Sequence, residues 1–253
     1  MITLKKQVKW RRDKNALLIC DCKRLIDLKL SFKYESFLRK LLCGLDPDAL
    51  GGDEALIFSE FEKMDLLCDL KIIQLPEKDF HLAMNILDDE LRKNRVRDPG
   101  FLRKKFKENI EFFIGIYLAE QLVGVICGFP REDYLLMSEI AIDFRFQRRK
   151  FGERLVKEFE RIAFRNYSRI HAGALDDAIE FYKSLNYKPF LLVQFEKGIY
   201  NKNDFLDFKV LKLCDNCVEL EIKDCSIEEL NKLRSLYPKA SLQYIFVKTK
   251  GID

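Results

Sequence analysis

Long apolar runs are missing from this chain of 253 residues. Nearly apolar stretches such as residues 112–119 reach eight residues, where a membrane-spanning helix needs about 20, so no membrane segment is expected. The opening Met1-Ile2-Thr3-Leu4-Lys5-Lys6 reaches Trp10-Arg11-Arg12 without an apolar leader core, and an ordinary secretory signal is not expected either. Cysteine is sparse: eight in the chain fall well short of a disulfide scaffold, and the expectation is a reduced, cytoplasmic protein. Only two histidines occur, and no Ser-His-Asp, paired-carboxylate or Walker-type pattern accompanies them, which removes the familiar hydrolase and phosphate-loop signatures. His81 falls in a helical segment and His171 in a strand, and both read as packing residues. There is no internal repeat and no low-complexity tract.

What is present is a globular balance, 48% hydrophobic and 34% charged residues, and disorder is not expected. The net charge of +4 is small but uneven: residues 1–40 carry 12 Lys/Arg against 4 Asp/Glu, and residues 41–68 carry 1 against 7. A polyanion-binding patch in the first block is one way to read that reversal.

Hydrophobic period and turn residues divide the chain into three blocks. In residues 1–68, Gln7 to Arg12 and Leu17 to Cys20 flank the turn Asp13-Lys14-Asn15, and Arg24 to Leu30 alternates, predicting a small β-meander. Ser31 is the expected cap of a helix whose apolar face is Phe37, Leu38, Leu41 and Leu42, and a second helix covers residues 54–67. Strands and short helices in this space describe a winged-helix-like domain, which loosely resembles PqqD-like peptide-recognition domains. Residues 69–200 read as strand (70–75), helices (79–95 and 101–109), three consecutive strands (111–119, 122–129, 134–142), helix (152–166), strand (169–174), helix (177–185) and strand (190–195). This is an α/β pattern with a mixed sheet. Residues 201–253 add a hairpin (208–213, 218–222), a helix (227–236) and a strand (242–247), too little to bury a core alone. That extension is expected to dock on the central sheet or to serve a homodimer contact.

The segment that carries chemistry is Ser138-Glu139-Ile140-Ala141-Ile142-Asp143-Phe144-Arg145-Phe146-Gln147-Arg148-Arg149-Lys150-Phe151-Gly152-Glu153-Arg154-Leu155. A buried strand enters a short basic loop that opens directly into an amphipathic helix. Open backbone N–H groups at such a helix start favour an anion. Arg148, Arg149 and Lys150 add positive charge that suits a pyrophosphate or a 3′-phosphate.

This segment resembles the acetyl-CoA motif of the GNAT superfamily of N-acetyltransferases, Gln/Arg-x-x-Gly-x-Gly/Ala after the fourth strand. Gln147, Phe151 and Gly152 fit, whereas Lys150 stands at the first glycine position, implying that its backbone keeps an ordinary helical conformation. Thirty residues on, Asp177-Ala178-Ile179-Glu180-Phe181-Tyr182-Lys183-Ser184-Leu185-Asn186-Tyr187 is similar to the family's Ala-x-x-Phe-Tyr-x-x-x-Gly-Phe segment. Asn186 replaces a glycine there, an exchange that the left-handed tolerance of asparagine permits. Leu175 stands where the family often has an asparagine.

The resemblance implies a mixed, mostly antiparallel sheet flanked by helices, with acetyl-CoA as co-substrate, no metal, and direct transfer to a primary amine on a small molecule, peptide or protein. It implies that the backbone of Ile140, Ala141 and Ile142 holds the pantetheine arm and the thioester oxygen. Gln147, Arg148, Arg149, Lys150, Phe151 and Gly152 would hold the pyrophosphate. Tyr182 would protonate the leaving thiolate, its other reading being a core aromatic beside Phe181. Glu139 would take the amine proton, its other reading being a solvent-facing carboxylate. The class-level alternative is a non-catalytic CoA-sensing regulator whose first block contacts nucleic acid or protein. Cys214-Asp215-Asn216-Cys217 reads as a hairpin turn rather than a zinc half-site. The cations Arg92, Lys93, Arg95, Arg97, Arg103, Lys104, Lys105 and Lys107 read as a solvated helix face, or as a border of the acceptor groove for an acidic acceptor.

Overall fold

The apolar alternation at the start of the chain becomes four strands: β1 (Ile2–Leu4), β2 (Val8–Arg12), β3 (Leu17–Asp21) and β4 (Ile26–Leu30). β2, β3 and β4 form an antiparallel meander with Trp10 opposite Ile19 and Ile19 opposite Leu28. Ser31 caps as expected, but the turn it opens is a short 3-10 segment that leads into α1 (Glu35–Cys43), which buries Phe37, Leu38 and Leu41. Gly44 ends α1 with φ +95°, a value that favours glycine. α2 (Gly52–Lys63) buries Phe58 and Phe61 against the same core, where Leu4, Val8, Leu17, Ile19 and Leu66 complete the packing. Fully burying each such side chain is worth about 1.5–3 kcal/mol.

The computed structural model describes residues 1–91, 98–222 and 225–251. Two units account for the chain: Met1–Ile126 with Glu139–Phe159, and Cys127–Ser138 with Glu160–Asp253. These units cut the chain differently from the three sequence blocks.

In the first unit, β1 lies antiparallel to β5 (Leu67–Gln74), an edge pairing that the sequence did not reveal. Next to β5 stands β6 (Phe113–Leu118), then β7 (Gln121–Pro130) and β8 (Leu135–Ile142), whose far portions belong to the second unit. Besides α1 and α2 the helices are α3 (Phe80–Leu91), α4 (Pro99–Glu108) and α5 (Phe151–Ala163), the last of which passes into the second unit after Phe159. β6 is buried along its whole length, so it reads as a continuous apolar run rather than an alternation.

The second unit orders β8, β9 (Arg169–Gly173), β13 (Ala240–Thr249), β10 (Lys188–Phe195), β12 (Cys217–Glu221) and β11 (Val210–Leu213). α6 (Ile179–Ser184) and α7 (Ile227–Leu236) complete it. The C-terminal strand therefore sits between β9 and β10, antiparallel to both, and buries Leu242, Tyr244 and Phe246. The docking expected of the third block takes the form of strand insertion. Cys214 N donates to Cys217 O at 2.9 Å, closing the expected two-residue hairpin, and both cysteines are free thiols. The fold is a mixed α/β one whose pairings are antiparallel except for β8 with β9 among the registers described. No helix among the described residues is long and apolar enough to cross a membrane.

Candidate functional site

β8 delivers the chain to the loop. Its parallel register with β9 covers Leu135–Met137 only, three of its eight residues. Ala141 is buried and Ile140 and Ile142 are half-buried. On the β7 side the approach is close: a Cβ on Gly124 would fall 2.3 Å from Ile142 Cδ1 and 3.0 Å from the Ala141 carbonyl oxygen. A glycine inside an otherwise apolar strand is the sequence signal for such an approach. Glu139 is half-buried, with its Oε2 shielded from solvent.

The turn after β8 is braced by carboxylates. Asp143 accepts from the Arg145 backbone N–H at 3.0 Å and from Arg145 Nε at 2.9 Å, and its own N–H donates to Val123 O. The Arg145 guanidinium, aided by that backbone bond, holds the Asp143 carboxyl below the usual carboxylate range. Glu90, in the last turn of α3, accepts from Phe144 N at 2.8 Å and from Gln147 Nε2 at 2.9 Å. Gln147 Nε2 also donates to Ile142 O at 3.0 Å. The Gln147 side chain thus ties the two ends of the loop together. Glu90 carries no motif, and nothing in the sequence points to it.

The backbone then departs from expectation. Arg148 has φ +61° and Lys150 has φ +56°. Lys150 is left-handed, not helical: the loop keeps the geometry that a glycine would supply and accepts the cost of a Cβ there, roughly 1–2 kcal/mol. Left-handed residues interleaved with right-handed ones turn successive N–H groups to one side, as in anion-binding nests. The first intrahelical bond of α5 runs from Arg154 N to Lys150 O at 3.1 Å. The amides of Phe151, Gly152 and Glu153 donate to no acceptor among the described residues.

The three cations of the loop separate. Arg148 and Lys150 are exposed, whereas Arg149 is 5% exposed. Its guanidinium lies over the Phe146 ring and donates to Leu4 O at 3.4 Å. Burial lowers its pKa, an effect that the Cys68 and Cys43 thiols oppose. Arg149 therefore faces the protein, and of the three loop cations only Arg148 and Lys150 are open to solvent. In the next turn, Arg154 reaches across to the carbonyl of Gly44. α5 itself buries Leu155, Val156 and Phe159, which fixes the direction in which its first turn points.

In the second unit, Tyr182 on α6 is 4% exposed. Its ring stacks on Phe246 at 5.2 Å and meets Phe181 and Tyr187 edge-on. The hydroxyl's partner is Met137 Sδ at 3.9 Å, a weak acceptor. Burial pushes the phenol up to about 12, so it is protonated at neutral pH. Asn186 takes φ +62°, the left-handed value expected at the end of that helix. Leu175 is exposed. His171 stacks on Tyr134 at 3.8 Å and burial holds it at about 4, the neutral packing histidine that its position implied. In the basic helical segment, Arg103 pairs with Glu77, and Lys104 and Lys105 with Glu108, all on the surface. Arg92, Lys93, Arg95 and Arg97 lie outside the described residues.

The model of the acetyltransferase (GNAT) family matches residues 80–187. Among solved structures, Ard1 from Thermoplasma volcanium is similar at 18% identity and a TM-score of 0.45, over 61% of this chain and 99% of that one. The ribosomal-protein-S18-alanine N-acetyltransferase of Escherichia coli gives 12% identity and 0.46, over 73% of this chain and 96% of that one. A Pyrococcus horikoshii chain described as an acetyltransferase gives 16% and 0.43, over 52% of this chain, which spans about half of it (49%). No curated protein matches the chain. The family match opens on the first residue of α3, takes in the whole β8–α5 loop and closes at Tyr187, so that residues 80–187 are similar to the acetyltransferase (GNAT) family.

Proposed function

We propose that this protein transfers an acetyl group from acetyl-CoA to a primary amine, directly, in a ternary complex. The observation that carries the reading is the loop into α5, with left-handed residues at Arg148 and Lys150 and open amides at Phe151, Gly152 and Glu153. A pyrophosphate is the anion that fits several converging N–H donors followed by a helix start. The backbone of Ile140–Ile142, on the stretch of β8 beyond its register with β9, supports a role in holding the pantetheine arm and the thioester oxygen.

In the reaction, a neutral amine attacks the thioester carbonyl, the C–N bond forms and the C–S bond breaks. The amine proton leaves to Glu139, directly or through water, and the thiolate takes a proton from Tyr182. Its protonated state and the weak acceptor Met137 Sδ, the hydroxyl's one partner among the described residues, support Tyr182 for this task. The acceptor is a small molecule, a peptide or a protein amine.

The regulator alternative draws on the basic excess of residues 1–40. Five of those 12 cations are paired: Lys5 with Asp65, Arg12 and Arg39 with Glu35, Arg24 with Asp21, and Lys33 with Asp53. That neutralisation favours the enzyme over a nucleic-acid reader. The test is calorimetric titration with acetyl-CoA, followed by thiol release from acetyl-CoA over a panel of amines. Binding with amine-dependent thiol release is expected. Binding without release from any amine would favour the regulator, and absence of binding would overturn both.

A further inference from the structure

A cavity of about 740 Å³ lies beside the loop, walled by α1 and the Gly44 turn on one side and by the start of α5 on the other. Six cations line it: Arg39, Lys40, Arg148, Lys150, Arg154 and Lys157. Against them stand two carboxylates, Asp46 and Glu153. Three of the cations are committed, Arg39 to Glu35, Lys157 to Glu153 and Arg154 to the Gly44 carbonyl. Lys150 lies at 4.0 Å from Glu153, the limit of an ion pair. Lys40 and Arg148 have no carboxylate partner among the described residues. Like charges converging on one concave space are unfavourable until an anion bridges them.

Arg148 and Lys150 belong to both the cavity and the loop. One ligand that places a phosphate in each would be gripped twice. CoA carries a pyrophosphate and, on the ribose, a 3′-phosphomonoester of nearly two negative charges, which calls for more cations than a carboxylate does. We infer that this cavity takes the 3′-phosphate of the coenzyme and that Lys40, from the N-terminal block, helps to select the 3′-phosphorylated form. The inference rests on the acetyl-CoA reading above. It gives residues 1–68 a part in cofactor recognition, a part that the loop motif alone does not imply.

The experiment compares acetyl-CoA with 3′-dephospho-acetyl-CoA by calorimetry on the full chain. The wild-type protein should bind acetyl-CoA at least about tenfold more tightly, the effect of one charge-assisted contact. Lys40→Met should remove most of that ratio while leaving the dephospho affinity unchanged. Lys40→Gln, as a second variant, should do the same. Lys40 is an exposed residue in the last turn of α1, so either variant retains the helix. Equal affinities in the wild type, or a ratio untouched in both variants, would overturn the inference while leaving acetyl-CoA binding intact. Failure of both thioesters to bind would instead overturn the cofactor reading on which it stands.

Discussion

Lys150→Gly tests the backbone argument most directly. At φ +56° a side chain is held in a region that costs an L-residue roughly 1–2 kcal/mol. Glycine removes that cost but gains freedom in the unfolded chain, which offsets about 0.5–1 kcal/mol. The net expectation is a stabilisation of about 0.5–1 kcal/mol. Loss of the Lys150–Glu153 contact, at 4.0 Å with the lysine 69% exposed, contributes little. Lys150→Ala removes the same charge and contact but keeps the Cβ, so the glycine variant should exceed it by about 1 kcal/mol. At a right-handed helical position the order reverses, because alanine is the better helix former. The sign of the difference therefore reports the conformation. Urea unfolding followed by tryptophan fluorescence is suited to the measurement. Trp10 is the single tryptophan of the chain, and it lies in β2, in the same unit as the loop. An alanine variant at least as stable as the glycine variant would refute the left-handed assignment and the nest built on it.

Gly124→Ala should destabilise the same unit by about 1–3 kcal/mol, since the new methyl meets Ile142 and the Ala141 carbonyl; an unchanged urea midpoint would show that β7 and β8 have room to spare. Glu90→Ala should raise the Kd for acetyl-CoA about tenfold by freeing Phe144 N and Gln147 from their shared carboxylate, and unaltered affinity in calorimetry would remove Glu90 from the loop's support. Tyr182→Phe should lower turnover by about 10²–10⁴ with little change in thioester affinity, and full turnover with a verified acceptor would remove Tyr182 from the reaction. His171, held at about 4 against an ordinary 6.5, binds its proton more weakly when folded than when unfolded. Stability should therefore fall as pH drops through 6.5 and level off below 4, losing about 2 kcal/mol between pH 7 and 5. His171→Gln should flatten that profile in circular-dichroism melts.

The central elements were legible because their signals are local. Helix 227–236 is found at the expected residues, and strands 111–119 and 134–142 shift by no more than two residues at either end. Phe37, Leu38 and Leu41 face the core as their spacing implied. The edge strand Ile2–Leu4 was not legible: three residues give no period, and its partner lies more than sixty residues away. The site divides in the same way. The loop and its following helix announce themselves through Gln147 and Gly152, whereas Glu90 acts through a fold that brings α3 to the loop from 54 residues away. Lys150 was misread because its identity argues for a helical φ, and the surrounding turn overrides that preference. The burial of Arg149 was not legible because sequence alone does not reveal which of three adjacent cations meets the Leu4 carbonyl.

The bond from Arg149 to Leu4, together with that from Arg154 to Gly44 and the pairing of β1 with β5, bears on how the segment that matches the family model is to be handled. A shortened form starting near residue 69 would take away Leu4, Cys43 and Cys68, the neighbours of the Arg149 guanidinium, and leave that side chain without its carbonyl partner. It would also bare the β5 edge to self-association. Moving residues 80–187 onto another scaffold thus requires carrying the amino-terminal block along.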